Sequence, residues 1–280
     1  MIKSYEEKHE KQVYSLLNGY PMNWAGQALE TVLAFHSEEV IGIGSISINE
    51  LHPYREYINV FVHLDKRRTE IGKAIFKELL SLSKSKKFQG ATSSKNIATV
   101  AFLEKCGFHP ARKSYTPQLK KNASLLLSDR KINTKSFDEL SLHQSDELLK
   151  LQLENYREFH QEINPLSDKI SFNRWKEMIS IDLDREHSKV FMREGTIEAY
   201  ILCYESENIN SIEIGYIGGK DTSKLEEYLA FYRHTLNQLF SEFRYVEIEA
   251  DNVDLYAYAL LNEFEYDKSE SWDTYVCDTK

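Results

Sequence analysis

The chain repeats itself, and the repeat limits what it can fold into. Its two halves lie over each other without a gap at a constant offset of 156 residues: Ile58 falls on Ile214, Asp65 on Asp221, Glu70 on Glu226, Ala74 on Ala230, Leu80 on Leu236, Asn96 on Asn252 and Phe108 on Phe264. The shared Asn-x11-Phe spacing and the shared order of elements argue against chance agreement of apolar positions. Solenoid repeats run roughly 20 to 50 residues, so a period this long means two copies of one domain. The length of 280 residues agrees, at roughly 100 to 200 residues per domain.

Periodicity gives the element order. Residues 6–17 have helical spacing, with Val13, Leu16 and Leu17 on one side. Residues 31–35 and 40–48 are β-rich and meet across His36-Ser37-Glu38-Glu39, a hairpin-like connection. A strand at 57–64, a helix at 71–82, a strand at 90–94 and a helix at 96–105 closed by Gly107 follow. The stretch 120–134 breaks this rhythm, which predicts a first domain over 1–124, a linker over 125–132 and a second domain over 133–280. The second half then gives helices at 145–161 and 172–179, and strands at 189–193, 197–204 and 212–217. A helix at 225–240, a strand at 245–250 and a helix at 253–262 complete it. Both halves are mixed α/β.

Composition narrows the function. There are 44 Asp and Glu against 35 Lys and Arg, a net charge of -9, which disfavours nucleic-acid binding because replacing phosphate counterions needs a basic face. Three scattered cysteines make no disulfide framework, and neither His-Glu-x-x-His nor Cys-x-x-Cys occurs, so no metal site is expected. The start lacks a signal peptide's apolar core, and no apolar run approaches the roughly 18 residues that span a bilayer. No membrane association and a cytoplasmic location are the expectations. Gly42-Ile43-Gly44 lacks the third glycine of a dinucleotide site.

The segment that carries chemistry is Val62-His63-Leu64-Asp65-Lys66-Arg67-Arg68-Thr69-Glu70-Ile71-Gly72-Lys73-Ala74. It leaves a strand, turns, and enters a helix, where unpaired N–H groups converge and the helix dipole adds partial positive charge. That suits a pyrophosphate. Gly72 removes a side chain where a ligand would approach the backbone, and Arg67, Arg68 and Lys73 add cationic charge to an acidic protein. A second segment, Asn96-Ile97-Ala98-Thr99-Val100-Ala101-Phe102-Leu103-Glu104-Lys105-Cys106-Gly107-Phe108, follows the next strand.

Together the two segments resemble the GNAT superfamily of acyl-CoA-dependent N-acetyltransferases. The family pattern Arg/Gln-x-x-Gly-x-Gly/Ala maps onto Arg67, Glu70 and Gly72; the later Asn…Glu-Lys-x-Gly-Phe maps onto Asn96, Glu104, Lys105, Gly107 and Phe108. The resemblance implies two tandem GNAT-like domains, each a twisted mixed β-sheet flanked by helices and splayed between its fourth and fifth strands. It implies acetyl-CoA held by Val62, Leu64, Arg67, Arg68, Thr69, Glu70, Ile71, Gly72, Lys73 and Ala74, with Asn96 and Phe102 beside them. It also implies direct attack of a primary amine, on a small molecule or a peptide, on the thioester. The alternative is a catalytically impaired CoA-binding or sensing protein of the same fold.

Two positions depart from the pattern. Glu70 replaces the first glycine; a carboxylate about 4 Å from a phosphate charge costs roughly 4 kcal/mol at an effective dielectric of 20, unless it points into solvent. We expect it to point outward. Leu103 stands where many members carry a tyrosine that protonates the departing thiolate, so Tyr115, or else Tyr57 or Tyr20, is the candidate acid. Glu56, six residues before Val62, is the candidate base by the same resemblance, with His52 and His63 weaker candidates. Trp24 and Tyr20 lie where members often contact acceptors. In the second copy Ser223 replaces Arg67, Tyr228 replaces Gly72 and Glu263 replaces the glycine before the final Phe. Tyr228 is expected to project into the space Gly72 leaves open, which makes the second copy degenerate.

Overall fold

The computed structural model describes residues 1–121 and 132–279. The first half gives β1 (Ile2–Ser4), α1 (Glu10–Leu17), β2 (Glu30–His36), β3 (Glu39–Ser47), β4 (Glu56–Val62), α2 (Ile71–Leu82), β5 (Lys87–Ser93) and α3 (Ile97–Lys105). Then come β6 (His109–Tyr115), β7 (Gln118–Lys120), β8 (Thr134–Ser136), α4 (Leu142–His160), α5 (Phe172–Ile179), β9 (Leu183–Arg193), β10 (Thr196–Glu205) and β11 (Ser211–Gly219). The chain ends with α6 (Leu225–Glu242), β12 (Tyr245–Ile248), β13 (Ala250–Asp251), α7 (Leu255–Leu261) and β14 (Trp272–Asp278).

These elements form two compact units, each an α/β layer structure, but the chain is not cut once between them. The first unit comprises Met1–Ala111, Ile163–Ser167 and Asp273–Lys280; the second comprises Arg112–Glu162 and Asp168–Trp272. The expected division into 1–124 and 133–280 is therefore replaced by an exchange of strands. The expected linker, 125–132, lies outside the described residues apart from Ile132. In the first unit the strand order is β1-β2-β3-β4-β5-β14, so the last strand of the chain covers the edge of β5. In the second the order is β7-β12-β11-β10-β9-β8, and β7, encoded before the linker, pairs antiparallel with β12. The physical reason is that a crossover-linked parallel strand ends with one bare edge, and an uncovered edge must find a partner. The segment 163–167 is tied into the first unit by Arg55, whose Nε donates to the Ile163 carbonyl (2.8 Å) and whose guanidinium pairs with Asp278.

The first unit's sheet is covered on both faces. On one side α2 and α3 pack through Ile75, Phe76, Leu79 and Leu103 onto Ile46, Ile58, Val62 and Phe88. Gly44 is what lets α2 lie so close: a Cβ there would fall 2.2 Å from Ile75 and 2.9 Å from Leu79. That is the role of the Gly42-Ile43-Gly44 run. On the other side α1 packs Val13, Leu16 and Leu17 against Leu33, Val40 and Ile43. The second unit buries an aromatic core containing Phe231, Tyr228, Tyr232 and Tyr256.

Candidate functional site

Strands β4 and β5 start as parallel neighbours and then part. They pair only at Glu56↔Phe88 and Tyr57↔Gln89, although each has 7 residues, while β4 keeps its register with β3 out to Val62↔Gly42. From residue 58 onward one edge of β4 therefore has main-chain groups without a strand partner. The splay expected between the fourth and fifth strands is present.

At the open end of this split lies a cleft of about 740 Å³. The connection from β4 into α2 forms one wall. Arg68 and Glu70 both adopt left-handed backbone conformations (φ 60° and 62°), the kind of turn that lets successive amides converge. Helix α2 opens on Glu70 with no side-chain cap, and its first intrahelical bond runs from the Ala74 N–H to the Glu70 carbonyl. The N–H groups of residues 71–73 have no partner among the described residues and carry the positive end of the helix. Helix α3 forms the opposite wall. Its cap is Asn96, whose side chain accepts from the Thr99 N–H at 3.2 Å.

Of the residues expected to hold a cofactor, Val62, Arg67, Arg68, Glu70, Ile71, Gly72 and Lys73 line the cleft from the first segment, and Asn96 and Phe102 from the second. Leu64, Thr69 and Ala74 do not line it. Leu64 is exposed, and the Thr69 hydroxyl donates to the Lys66 carbonyl within the turn. Lys66 and Lys105 join Arg67, Arg68 and Lys73, so five cationic side chains face one carboxylate, in a protein of net charge -9.

Three local details explain the sequence. Arg67 is held in place, with Nε donating to the Val62 carbonyl (3.0 Å) and the guanidinium 5.7 Å from the Phe61 ring centre. Gly72 also eases packing within the protein, since a Cβ would sit 3.1 Å from the Phe102 ring and push it aside by a few tenths of an ångström. Glu70 is largely exposed and lies 3.7 Å from Lys73, so its carboxylate is turned outward and accompanied by a cation. A glycine would occupy its left-handed conformation without the roughly 1 to 2 kcal/mol penalty of a Cβ.

The candidate acid and base lie elsewhere. Tyr115 is buried in the second unit's core, stacked on Tyr258 and edge-on to Tyr266, and does not line the cleft. The reason is the strand exchange, which assigns that part of β6 to the second unit. Glu56 is at the closed end of the split, buried, and accepts the Ser83 hydroxyl at the end of α2. Leu103 packs in the core over Gly90. His52 is buried beside the Pro165 carbonyl (3.3 Å), and His63 accepts from the Asp65 N–H. Trp24 packs edge-on between Tyr5 and Tyr14. Tyr20 does line the cleft, 5.0 Å from Phe61, carried by the turn at Asn18 and Gly19 after α1. Cys106 lines it too, but burial pushes its thiol up to about 11, which makes it a poor thiolate source.

The comparisons with known proteins agree with this geometry. Residues 2–108 match the acetyltransferase (GNAT) family, the part that carries the split sheet and the cleft. Residues 2–108 thus carry the match to this family. No curated protein matches it in sequence. The whole chain has the fold of tandem GNAT proteins. It is similar to the tandem GNAT protein from the clavulanic acid biosynthesis pathway at 12% identity, covering 99% of this chain and 98% of that one, with a TM-score of 0.51. A GCN5-related N-acetyltransferase from Sphaerobacter thermophilus matches at 12% identity over 99% and 95%, with a TM-score of 0.53. The glucosamine N-acetyltransferase region of a fungal multi-domain β-N-acetylglucosaminidase matches at 11% identity over 99% of this chain and 37% of that one, with a TM-score of 0.56. Among the described residues no cluster of three or more His, Cys, Asp or Glu is placed to hold a metal ion, and no helix is long and apolar enough to cross a membrane.

Proposed function

We propose that the first unit binds acetyl-CoA and transfers its acetyl group to a primary amine on a small molecule or a peptide. One observation carries this reading: an uncapped helix start, five cations and the bare edge of β4 converge on one cleft. The amides of residues 71–73, with Arg68 and Lys73, suit a pyrophosphate. The unpaired edge of β4 over residues 58–62 suits an arm that carries amides of its own, because it offers alternating donors and acceptors.

A bound thioester would supply an acyl carbon open to attack by an uncharged amine: the C–N bond forms, the C–S bond breaks, and the electron pair leaves with sulfur. An alkyl ammonium with a pKa near 10 is almost wholly protonated at pH 7, so a base is needed. Glu56, at the closed end of the split and outside the cleft lining, is the carboxylate we assign to that role, acting through a bridging water. Tyr20 is the phenol in the cleft, and replaces Tyr115 as the proposed donor to sulfur. Binding of CoA without transfer is the second reading, favoured by the burial of Leu103 at the family's tyrosine position.

Isothermal titration of the full chain with acetyl-CoA, followed by thiol release in the presence of a panel of primary amines, tests both. Transfer requires one site per chain and amine-dependent thiol release. Binding without release selects the second reading, and no binding at millimolar acetyl-CoA removes both.

A further inference from the structure

Among the described residues of the first unit two buried side-chain atoms lack a partner, His9 Nδ1 and Gln89 Oε1, and the second lies where the sheet divides. Gln89 sits opposite Tyr57 in the last pair that β4 and β5 make. It is 4% exposed, and its Oε1 has no hydrogen-bond partner among the described residues. Buried amides are almost always satisfied, because an unpaired acceptor keeps its full desolvation penalty. Gln89 does not itself line the cleft, but a group left in this condition at the last pair before the strands part is a candidate for satisfaction by a ligand.

Its direction follows from the strand. Successive side chains alternate between faces. Phe88 packs in the core that contains Phe76 and Leu79, and Gly90 lies under Leu103, so both face α2 and α3. Gln89 therefore turns to the opposite face, where its strand neighbours Lys87 and Ala91 are exposed. That face also carries Tyr57, Asn59 and Phe61, with Tyr20 against Phe61. The proposed phosphate-binding turn belongs to α2, and α2 and α3 cover that face, whereas on the other face α1 packs on β2 and β3, so a second reactant has the α1 face of the split to approach from.

We infer that Gln89 is a positioning residue for the acceptor, its carboxamide oxygen taking an N–H of the attacking primary amine at the closed end of the split. The inference rests on the transfer reading above. A neutral carbonyl suits the task better than a carboxylate. It can hold an amine after the proton has gone, whereas a carboxylate would favour the ammonium form, which cannot attack. The nitrogen lone pair stays free because only an N–H is engaged.

The test uses the full chain and the variants Gln89→Met and Gln89→Glu, with saturating acetyl-CoA and spermidine, kanamycin and a short peptide with a free N-terminus as amines. For Gln89→Met we expect an unchanged or higher Tm, an acetyl-CoA Kd within twofold of wild type, and a KM for the amine at least tenfold higher. Gln89→Glu should restore amine binding but move the rising limb of the pH profile to higher pH. An amine KM within twofold of wild type in Gln89→Met overturns the inference. So does a clear fall in Tm with KM unchanged, which would assign Gln89 a structural partner. Wild-type chain that binds acetyl-CoA but acetylates none of the amines overturns the transfer reading itself, and the role of Gln89 with it.

Discussion

The same turn is open in one unit and plugged in the other. Where the first unit has Gly72, the second has Tyr228, which is fully buried and presses its ring to within 2.4 Å of where a Cβ on Gly219 would lie. The Tyr228 hydroxyl approaches Glu198 (3.4 Å), which Lys224 also holds (2.7 Å). The first turn of α6 carries Glu226 and Glu227, whereas α2 has no acidic residue in its first turn. An anion at α6 would meet both bulk and like charge. The strands β11 and β12 still part after four parallel pairs, Ser211↔Tyr245 through Ile214↔Ile248. A split sheet is thus a property of the fold, while the proposed phosphate seat depends on a few side chains in one helical turn.

The largest effect should come from unplugging the second unit. Tyr228→Gly removes a buried aromatic and inserts a glycine into α6, so unfolding free energy should fall by ~4 kcal/mol, read by urea denaturation. Acetyl-CoA should still titrate to one site per chain, because Glu226 and Glu227 remain. A second site would mean that bulk alone separates the two units. The reverse change, Gly72→Tyr, should weaken acetyl-CoA binding at least 100-fold, about 2.8 kcal/mol, and lower Tm because the new side chain meets Phe102. Unaltered affinity would show that the seat is not at α2.

Glu70→Gly acts in the same place with a smaller effect. It relieves the left-handed conformation, adding roughly 1 kcal/mol of stability at most, and it removes the carboxylate beside Lys73. Affinity for acetyl-CoA should rise three- to tenfold at low salt, and less at 0.5 M salt, where exposed charges are screened. Equal affinity at both salt concentrations would show that the carboxylate does not reach the ligand's charge.

How far the sequence speaks for itself depends on the distance over which each feature is encoded. Helix α2 is legible to the residue because the spacing of Ile71, Ile75, Leu79 and Leu82 is local. The turn from Val62 to Lys73 is legible for the same reason, since the uncapped helix start is built from consecutive residues. The exchange of β7 and β14 is not, because nothing near Trp272 says that its partner is β5, some 180 residues earlier. Tyr115, the candidate acid in place of Leu103, lies in the second unit's core because the exchange assigns its part of β6 there. Tyr20 and Phe61 enter the cleft through contact between a loop and a strand; the signals for Tyr20 are its place in a loop after α1 and the family resemblance. Asn96 and Asn252 keep their alignment but not their role: Asn96 caps α3, while Asn252 Oδ1 accepts from the Lys113 N–H and Asp254 caps α7.

The smallest predicted effect separates the units by pH rather than by ligand. In the second unit His187 bridges Asp184 (2.7 Å) on its own strand and Glu242 (3.2 Å) at the end of α6, with Phe243 edge-on to its ring. Burial alone would depress its pKa, but the hydrogen bonds its ring N–H groups donate to Asp184 and Glu242 outweigh that, and the net shift is upward. A histidine whose folded pKa exceeds its unfolded value stabilises the fold fully below the unfolded pKa of about 6.5, and that contribution is lost as pH rises through the folded value. The partly solvated bridge is screened, so the change should stay below about 1 kcal/mol. Wild-type Tm should therefore fall slightly more between pH 6 and pH 8.5 than that of His187→Gln, which keeps hydrogen-bonding capacity but cannot take the proton. Identical pH profiles would mean that the bridge does not hold α6 to β9, and that the second unit's stability rests on its aromatic core without help from this charge.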